Sequence, residues 1–176
     1  GGLMGVLLAI AYVCWRRQLN FLRVSDYIAV NVPVGMMLGR LANFINGELW
    51  GRPADVPWAM VFPGAGPLAR HPSQLYEAAL EGAILIVILM VMFWQSRARY
   101  RPGLLVGVFT TGIALGRFIV EFYREPDSQL AEFARETGLS MGQWLTVPLI
   151  LLGVVITVRA LMKPPLASGT GTPAAA

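Results

Sequence analysis

The sequence predicts an all-α fold, a polytopic membrane helix bundle of about five transmembrane helices with a small extracytoplasmic cap. Three observations carry this reading. Hydrophobic residues make up 56% of the 176 and charged residues 14%, which is too few to give a soluble domain a polar shell. Apolar runs of membrane-crossing length recur at about 26–45, 75–94, 103–122 and 143–161, with a shorter run over 1–15. The charges, finally, collect between these runs, and only Arg40 and Arg117 are expected at membrane depth. Residues 1–163 therefore form one membrane domain, with an outer loop over 47–72. Residues 164–176, small residues and proline without a charge, have little to bury and are expected to be disordered.

The first run begins at Gly1, without Met and already apolar, so the chain is expected to be part of a longer protein. It has no charged stretch followed by a small-residue cleavage site, so it does not read as a signal peptide. Cys14, the single cysteine, supports neither a disulfide nor a metal cluster and reads as a small filler. No cofactor, metal or nucleic-acid partner is expected.

Alternating the spans places Arg16, Arg17, Arg23, Arg97, Arg99, Arg101, Arg159 and Lys163 on one side of the membrane. Arg52, Arg70, Arg124 and Arg135 fall on the other. The excess of basic residues makes the first side cytoplasmic. Every acid except Asp26 then lies in the outer loops or the outer half of a helix, so the chemistry faces outward.

The second run ends in Gly39-Arg40-Leu41-Ala42-Asn43-Phe44-Ile45-Asn46-Gly47-Glu48-Leu49-Trp50-Gly51. A charge at the bilayer centre costs about 2.5–3.5 kcal/mol or more, so Arg40 marks a candidate site. If helical geometry continues, Arg40, Asn43, Gly47 and Gly51 share a face with Glu48 at its edge. That face offers a guanidinium fork, an amide, a carboxylate and two glycines where another group can approach the backbone. The bland reading is an Arg40–Glu48 pair that ties helices together.

The following loop holds Pro53, Pro57, Pro63 and Pro67 with Gly64 and Gly66, which forbids a long helix. An ordered cap is expected there, with residues 58–62 as a short strand or interfacial patch. The third run opens on Arg70-His71-Pro72-Ser73-Gln74-Leu75-Tyr76-Glu77. Pro72 suits the first helical position, and Gln74, Glu77 and Glu81 fall on one face. His71, the only histidine, is a candidate acid or base, or simply a hydrogen-bonding residue at a helix start. In the fourth run Arg117, Glu121 and Arg124 share a face. Two arginines exceed what one carboxylate satisfies, and with Arg40 they form guanidinium forks suited to the phosphate of an anionic phospholipid. Ser140-Met141-Gly142-Gln143 reads as a helix capping box, with Leu139 and Trp144 placed as its hydrophobic staple.

The 39–51 stretch closely resembles the defining motif of bacterial prolipoprotein diacylglyceryl transferases. The segments 70–77, 116–127 and 140–143 resemble further parts of that family in the same order, so the likeness covers the chain up to Lys163. The resemblance implies a seven-helix enzyme of the bacterial cytoplasmic (inner) membrane, with its active site toward the periplasm and its C-terminus in the cytoplasm. Such an enzyme moves the diacylglyceryl group of phosphatidylglycerol to the lipobox cysteine thiol of a prolipoprotein signal peptide and releases glycerol phosphate. It implies substrate-holding roles for Arg40, Asn43 and Glu48, and a place near the reacting centre for Arg117. Gly51, Glu121 and Tyr76 join the candidate substrate-binding residues, and Arg117 and His71 are the candidate catalytic ones.

Family members carry a functionally important histidine directly before the motif that matches Gly1-Gly2-Leu3-Met4-Gly5, and this histidine is the implied proton acceptor. Residues 1–176 alone are accordingly expected to be inactive. Ile113 stands four residues before Arg117, where some members have a tyrosine, so a role for that hydroxyl does not transfer. Two other classes fit the residue types: a non-catalytic anionic-phospholipid-binding membrane subunit, and a transporter with intramembrane Arg and Glu. A transporter should show internal repeats or paired broken helices, and the sequence shows neither.

Overall fold

In the computed structural model the described residues are 1–96, 98–124 and 131–165. The chain is a helical membrane protein. Among the described residues, beside a 3₁₀ turn at Ala98–Tyr100, the helices in order are α1 (Gly2–Arg17), α2 (Phe21–Asn46), α3 (Ser73–Gln95), α4 (Leu104–Glu121), α5 (Ala131–Thr137) and α6 (Met141–Met162). Four of them, α2, α3, α4 and α6, are long and apolar enough to cross a membrane. The sequence reading counted five spans. The difference is α1, whose 16 residues reach about 24 Å against a hydrocarbon core of about 30 Å. Arg97 of the basic cluster, residues 125–130 and the tail from residue 166 lie outside the described residues, so the expectation of a disordered tail is not addressed.

The spans run up and down, and a core of Val30, Leu89, Leu104, Leu105 and Ala160 draws all four together. Lipid offers no hydrophobic drive between helices, so close approach through small residues has to hold them. The α4–α6 seam shows how. A Cβ on Gly107 would lie 2.8 Å from the backbone nitrogen of Thr157, and one on Gly153 would lie 2.6 Å from that of Thr111. The same threonines donate their hydroxyls within their own helices, Thr111 to Gly107 O at 2.9 Å and Thr157 to Gly153 O at 2.7 Å. Gly82 of α3 meets Met37 of α2 in the same way.

Asp26 has a purpose that its position in the sequence does not announce. Its buried carboxylate accepts from the backbone N–H of Gly103 and of Val106, both at 2.9 Å. It thus caps the start of α4 from a different helix, where the free N–H groups and the helix dipole both favour a negative charge. Asp26→Ala should lower the stability of the detergent-solubilised protein by about 1–2 kcal/mol, the usual worth of a helix cap. Asp26→Asn, which keeps one acceptor, should lose less. Thermal unfolding followed by circular dichroism checks both.

At the other end of the bundle α2 stops at Asn46. Gly47 is left-handed (φ 69°), its N–H bonds Phe44 O at 3.1 Å, and the N–H of Glu48 bonds Asn43 O at 3.0 Å. This pair of reversed bonds is the glycine-based helix stop. Helical geometry therefore does not reach Gly51, and the face proposed to join Arg40 to Gly51 ends at Gly47.

The loop beyond is an ordered cap. Single antiparallel bridges join Gly51 to Arg124, Pro53 to Arg70 and Met60 to Arg70. The 58–62 segment contributes one of those bridges through Met60 and forms no strand, while its Phe62 is buried edge-on against Phe44 of α2. The Ser140 capping box is present as expected: Gln143 N donates to Ser140 Oγ at 3.2 Å, and Ser140 N donates to Gln143 Oε1 at 3.0 Å.

Candidate active site

Three stretches far apart in sequence meet at the capped end of the bundle. α2 brings Arg40 in its penultimate turns, α3 brings Glu77 at the end of its first turn, and α4 brings Arg117 and Glu121 in its last. Arg124 follows just after α4, and its backbone is tied to the cap, because Arg52 donates through Nε to Arg124 O at 2.7 Å.

The centre is Glu77, whose side chain is 3% exposed. Arg40 Nε lies 2.7 Å from its Oε2, and Arg117 Nη1 and Arg124 Nε lie 3.4 and 3.7 Å from its Oε1. Glu121 adds a second, weaker brace, with Arg124 Nη1 at 3.5 Å and Arg117 Nε at 4.0 Å. Three guanidinium groups thus share two carboxylates. A guanidinium has five N–H donors, so most of these donors remain uncommitted. Arg40, Arg117 and Arg124 are 23%, 33% and 22% exposed, so those donors are reachable from outside. The arrangement is a cationic cradle standing on a buried carboxylate.

The floor is built to bring helices close to it. From Ala78 to Ala83 α3 widens into a π-helical turn, a feature often found at functional sites. Glu81, in that turn, is fully buried with its Cγ close to Gly116 of α4, and its Oε2 has no hydrogen-bond partner among the described residues. Gly142 of α6 lies against the Glu121 carboxylate, where a Cβ would come within 3.0 Å. Gln143, in the same turn, donates to Phe118 O at 3.1 Å and fixes α6 against α4.

The cap supplies an aromatic wall beside the cradle. His71 Nδ1 and the Tyr76 hydroxyl are 2.9 Å apart, and Trp58 Nε1 donates to that hydroxyl at 2.6 Å. Tyr123 packs edge-on against both His71 and Tyr76, with centroids 5.1 and 5.5 Å away. Because Tyr76 precedes Glu77 and Tyr123 precedes Arg124, the wall and the cradle are held by the same turns of chain.

The expected site residues divide clearly. Arg40, Arg117 and Glu121 join in the cradle, and His71 and Tyr76 join in the wall. Asn43 sits half-buried about one turn beyond Arg40, where its backbone carbonyl serves the helix stop. Glu48 enters differently from its expected role. Its side chain is exposed, and its backbone carbonyl accepts from the buried Gln74 at 2.7 Å, while Arg40 pairs with Glu77 instead. Gly51 offers no open patch for a ligand. It is buried, and a Cβ there would stand 2.5 Å from Tyr123 O and 2.6 Å from His71 O. Its N–H donates to His71 O at 3.0 Å, so Gly51 is where the cap, the wall and the end of α4 touch.

Residues 1–159 match the family described as prolipoprotein diacylglyceryl transferase. The chain belongs to that family. Among curated relatives, the phosphatidylglycerol–prolipoprotein diacylglyceryl transferase of Erythrobacter litoralis (strain HTCC2594) is 61% identical over 164 residues. These are 93% of this chain and 58% of that protein. The enzyme of the same name from Zymomonas mobilis is 52% identical over 160 residues, 91% of this chain and 55% of its own length. That of Rhodopseudomonas palustris is 48% identical over 178 residues, covering 100% of this chain and 59% of its own length. The chain thus spans less than two thirds of each of these relatives.

The stretches that carry the sequence resemblance, 39–51, 70–77 and 116–127, supply the cradle's side chains. Glu77 and Arg124 complete the cradle: Arg124 is expected from the sequence as one of its guanidinium forks, whereas Glu77 is placed there only on a helix face with Gln74 and Glu81. The signal for Glu77 was its spacing with Gln74 and Glu81, since all three share the buried face of α3. The signal for Arg124 was its spacing with Arg117 and Glu121.

Proposed function

We propose that this chain carries the phospholipid-binding half of a transferase that moves the diacylglyceryl group of phosphatidylglycerol to the lipobox cysteine thiol of a prolipoprotein. The observation that carries the proposal is the cradle: three partly exposed arginines held on one buried glutamate, in a chain of this family. The charge balance of the reaction explains why such a cradle is useful. The cysteine gives its thiol proton to a base, since the thiolate is the nucleophile. Its sulfur attacks the glycerol carbon that carries the phosphate, a C–S bond forms, and the C–O bond to phosphate breaks. The electron pair of that bond leaves on the glycerol phosphate. The phosphate begins as a diester with one negative charge and departs as a monoester with two. Guanidinium donors fixed in place before the reaction favour that growing charge, and they do so best where little water competes. Arg40, Arg117 and Arg124 are the groups to meet the phosphate, with Asn43 beside them and Glu121 holding two of the forks.

The reading also fixes an orientation. Arg23, Arg99, Arg101, Arg159 and Lys163 lie at the end of the bundle opposite the cradle, where Arg101 donates to Leu161 O at 3.0 Å and to Lys163 O at 2.8 Å. By the positive-inside rule that end is cytoplasmic and the cradle faces the periplasm of a bacterial inner membrane. A reporter fused after Arg99 should read cytoplasmic and one inserted near Gly64 periplasmic; the opposite pair of readings would place the cradle on the wrong side.

Transfer itself is tested with a full-length family enzyme that carries this sequence. Supplied with a lipobox peptide, it should form the thioether from phosphatidylglycerol but not from a zwitterionic phospholipid. A peptide with serine in place of the cysteine should remain unmodified. Thioether formation independent of the anionic lipid contradicts the proposal.

A further inference from the structure

The aromatic wall contains a chain of hydrogen bonds whose direction can be worked out from its members. An indole N–H only donates, so the 2.6 Å contact makes the Tyr76 oxygen an acceptor from Trp58. Tyr76 then has one hydrogen of its own to place. His71 Nδ1 lies 2.9 Å away, and each imidazole nitrogen is either a donor or an acceptor in the neutral ring. If Nδ1 carried the hydrogen, the Tyr76 oxygen would accept twice and its own O–H would lack a partner among the described residues. If Nδ1 is bare, the bonds run one way, Trp58 to Tyr76 and Tyr76 to His71, and the hydrogen left over is the imidazole's own on Nε2. This direction is the stronger one, because a phenol donates better than it accepts and a bare imidazole nitrogen accepts well.

We infer that Trp58 and Tyr76 lock neutral His71 in the tautomer that carries its hydrogen on Nε2. The indole orients the phenol, and the phenol occupies the only free lone pair of the imidazole. Trp58 is thereby a positioning residue, acting through Tyr76 from a cap segment 13 residues before the histidine. The backbone supports the same geometry. His71 N donates to Arg52 O and its carbonyl accepts from Gly51 N, both at 3.0 Å, so the backbone that carries the ring is tied into the cap.

For the chemistry, the inference rests on the transferase reading and refines it. With Nδ1 accepting from the phenol, the ring presents its Nε2 side to a ligand. It offers an N–H there, which suits a phosphate that gains charge as it leaves. His71 is then a hydrogen-bond donor.

The tautomer can be read without any activity measurement. This chain has one histidine, so selective ¹⁵N-histidine labelling in detergent gives one pair of ring nitrogens. At a pH where the ring is neutral, carbon couplings identify which nitrogen bears the hydrogen. The expected result is a single tautomer with hydrogen on Nε2. Tyr76→Phe, and to a smaller extent Trp58→Phe, should convert it to a mixture of both forms. Hydrogen on Nδ1 in the unmodified chain, or a mixture there, overturns the inference even if no variant folds. An unchanged spectrum in Tyr76→Phe also overturns it, and an unchanged spectrum in Trp58→Phe removes Trp58 from it.

The donor role has its own test in the full-length enzyme. His71→Gln places an amide N–H at about the reach of Nε2 and should keep part of the transfer activity that His71→Ala loses. Equal transfer in the two variants overturns the donor role. Should the unmodified enzyme transfer nothing, the transferase reading fails and the tautomer result still stands.

Discussion

Arg40→Ala should abolish diacylglyceryl transfer in a full-length family enzyme carrying this sequence. Arg40 makes the shortest contact to Glu77, 2.7 Å, through Nε, and is itself 23% exposed. Removing one preorganised donor from a site of developing negative charge typically costs about 100-fold to 1,000-fold in rate. The alanine variant also leaves the buried Glu77 carboxylate with only the looser arginines at 3.4 and 3.7 Å, so the loss should reach at least the upper part of that range. Arg40→Lys should recover little. An ammonium can face Glu77 or the phosphate as a point charge, but it has no planar fork with which to hold both. Initial rates of peptide lipidation, at matched membrane abundance, are the measurement. Near-normal transfer by the alanine variant would remove Arg40 from the site.

Glu77→Gln should be as damaging to transfer and should also weaken the fold. The carboxylate holds three guanidinium groups from α2, α4 and the segment after α4, and they would repel one another if it were neutral. The amide can accept from one of them but cannot balance their charge. A hydrogen bond to a charged group is worth about 1.5–3 kcal/mol, and the arginines' partial exposure argues for a loss in that range rather than the larger cost of a wholly buried pair. The melting temperature in detergent should therefore fall together with activity. Arg117→Lys offers a contrast, because it leaves the carboxylate and the charge in place: transfer should fall while stability stays close to that of the parent. Unchanged melting in Glu77→Gln would show that the cradle does not depend on its floor.

Much of this fold was readable in the sequence because a bilayer imposes simple rules. The four long spans were expected at 26–45, 75–94, 103–122 and 143–161 and are found at Phe21–Asn46, Ser73–Gln95, Leu104–Glu121 and Met141–Met162. Their lengths are set by membrane thickness, and the Ser140 box marks a helix start by local chemistry alone. Arg40 and Arg117 stood out because a charge at that depth is rare.

What escaped the sequence was pairing and backbone direction. Arg40 has Glu48 two turns away and Glu77 37 residues away, and only the packing of α2 on α3 selects the second. Gly51 resembled a helical position until the left-handed Gly47 ended the helix. Asp26 looked like a stray acid because the helix it caps begins 78 residues later. Trp58 read as part of a short strand or interfacial patch, since nothing local shows that its indole N–H reaches a tyrosine 18 residues on.

The central claim is that the cradle recognises the phosphate of an anionic phospholipid. It is tested most directly by lipid retention, without turnover. The protein is purified in mild detergent from membranes containing both phosphatidylglycerol and a zwitterionic phospholipid, and the lipids that remain bound are weighed by native mass spectrometry. The account predicts enrichment of phosphatidylglycerol over its share of the membrane, and loss of that enrichment in an Arg40→Ala, Arg117→Ala double variant that still melts cooperatively. Equal retention of the two lipids by the parent protein, or enrichment that survives in the folded double variant, would contradict it.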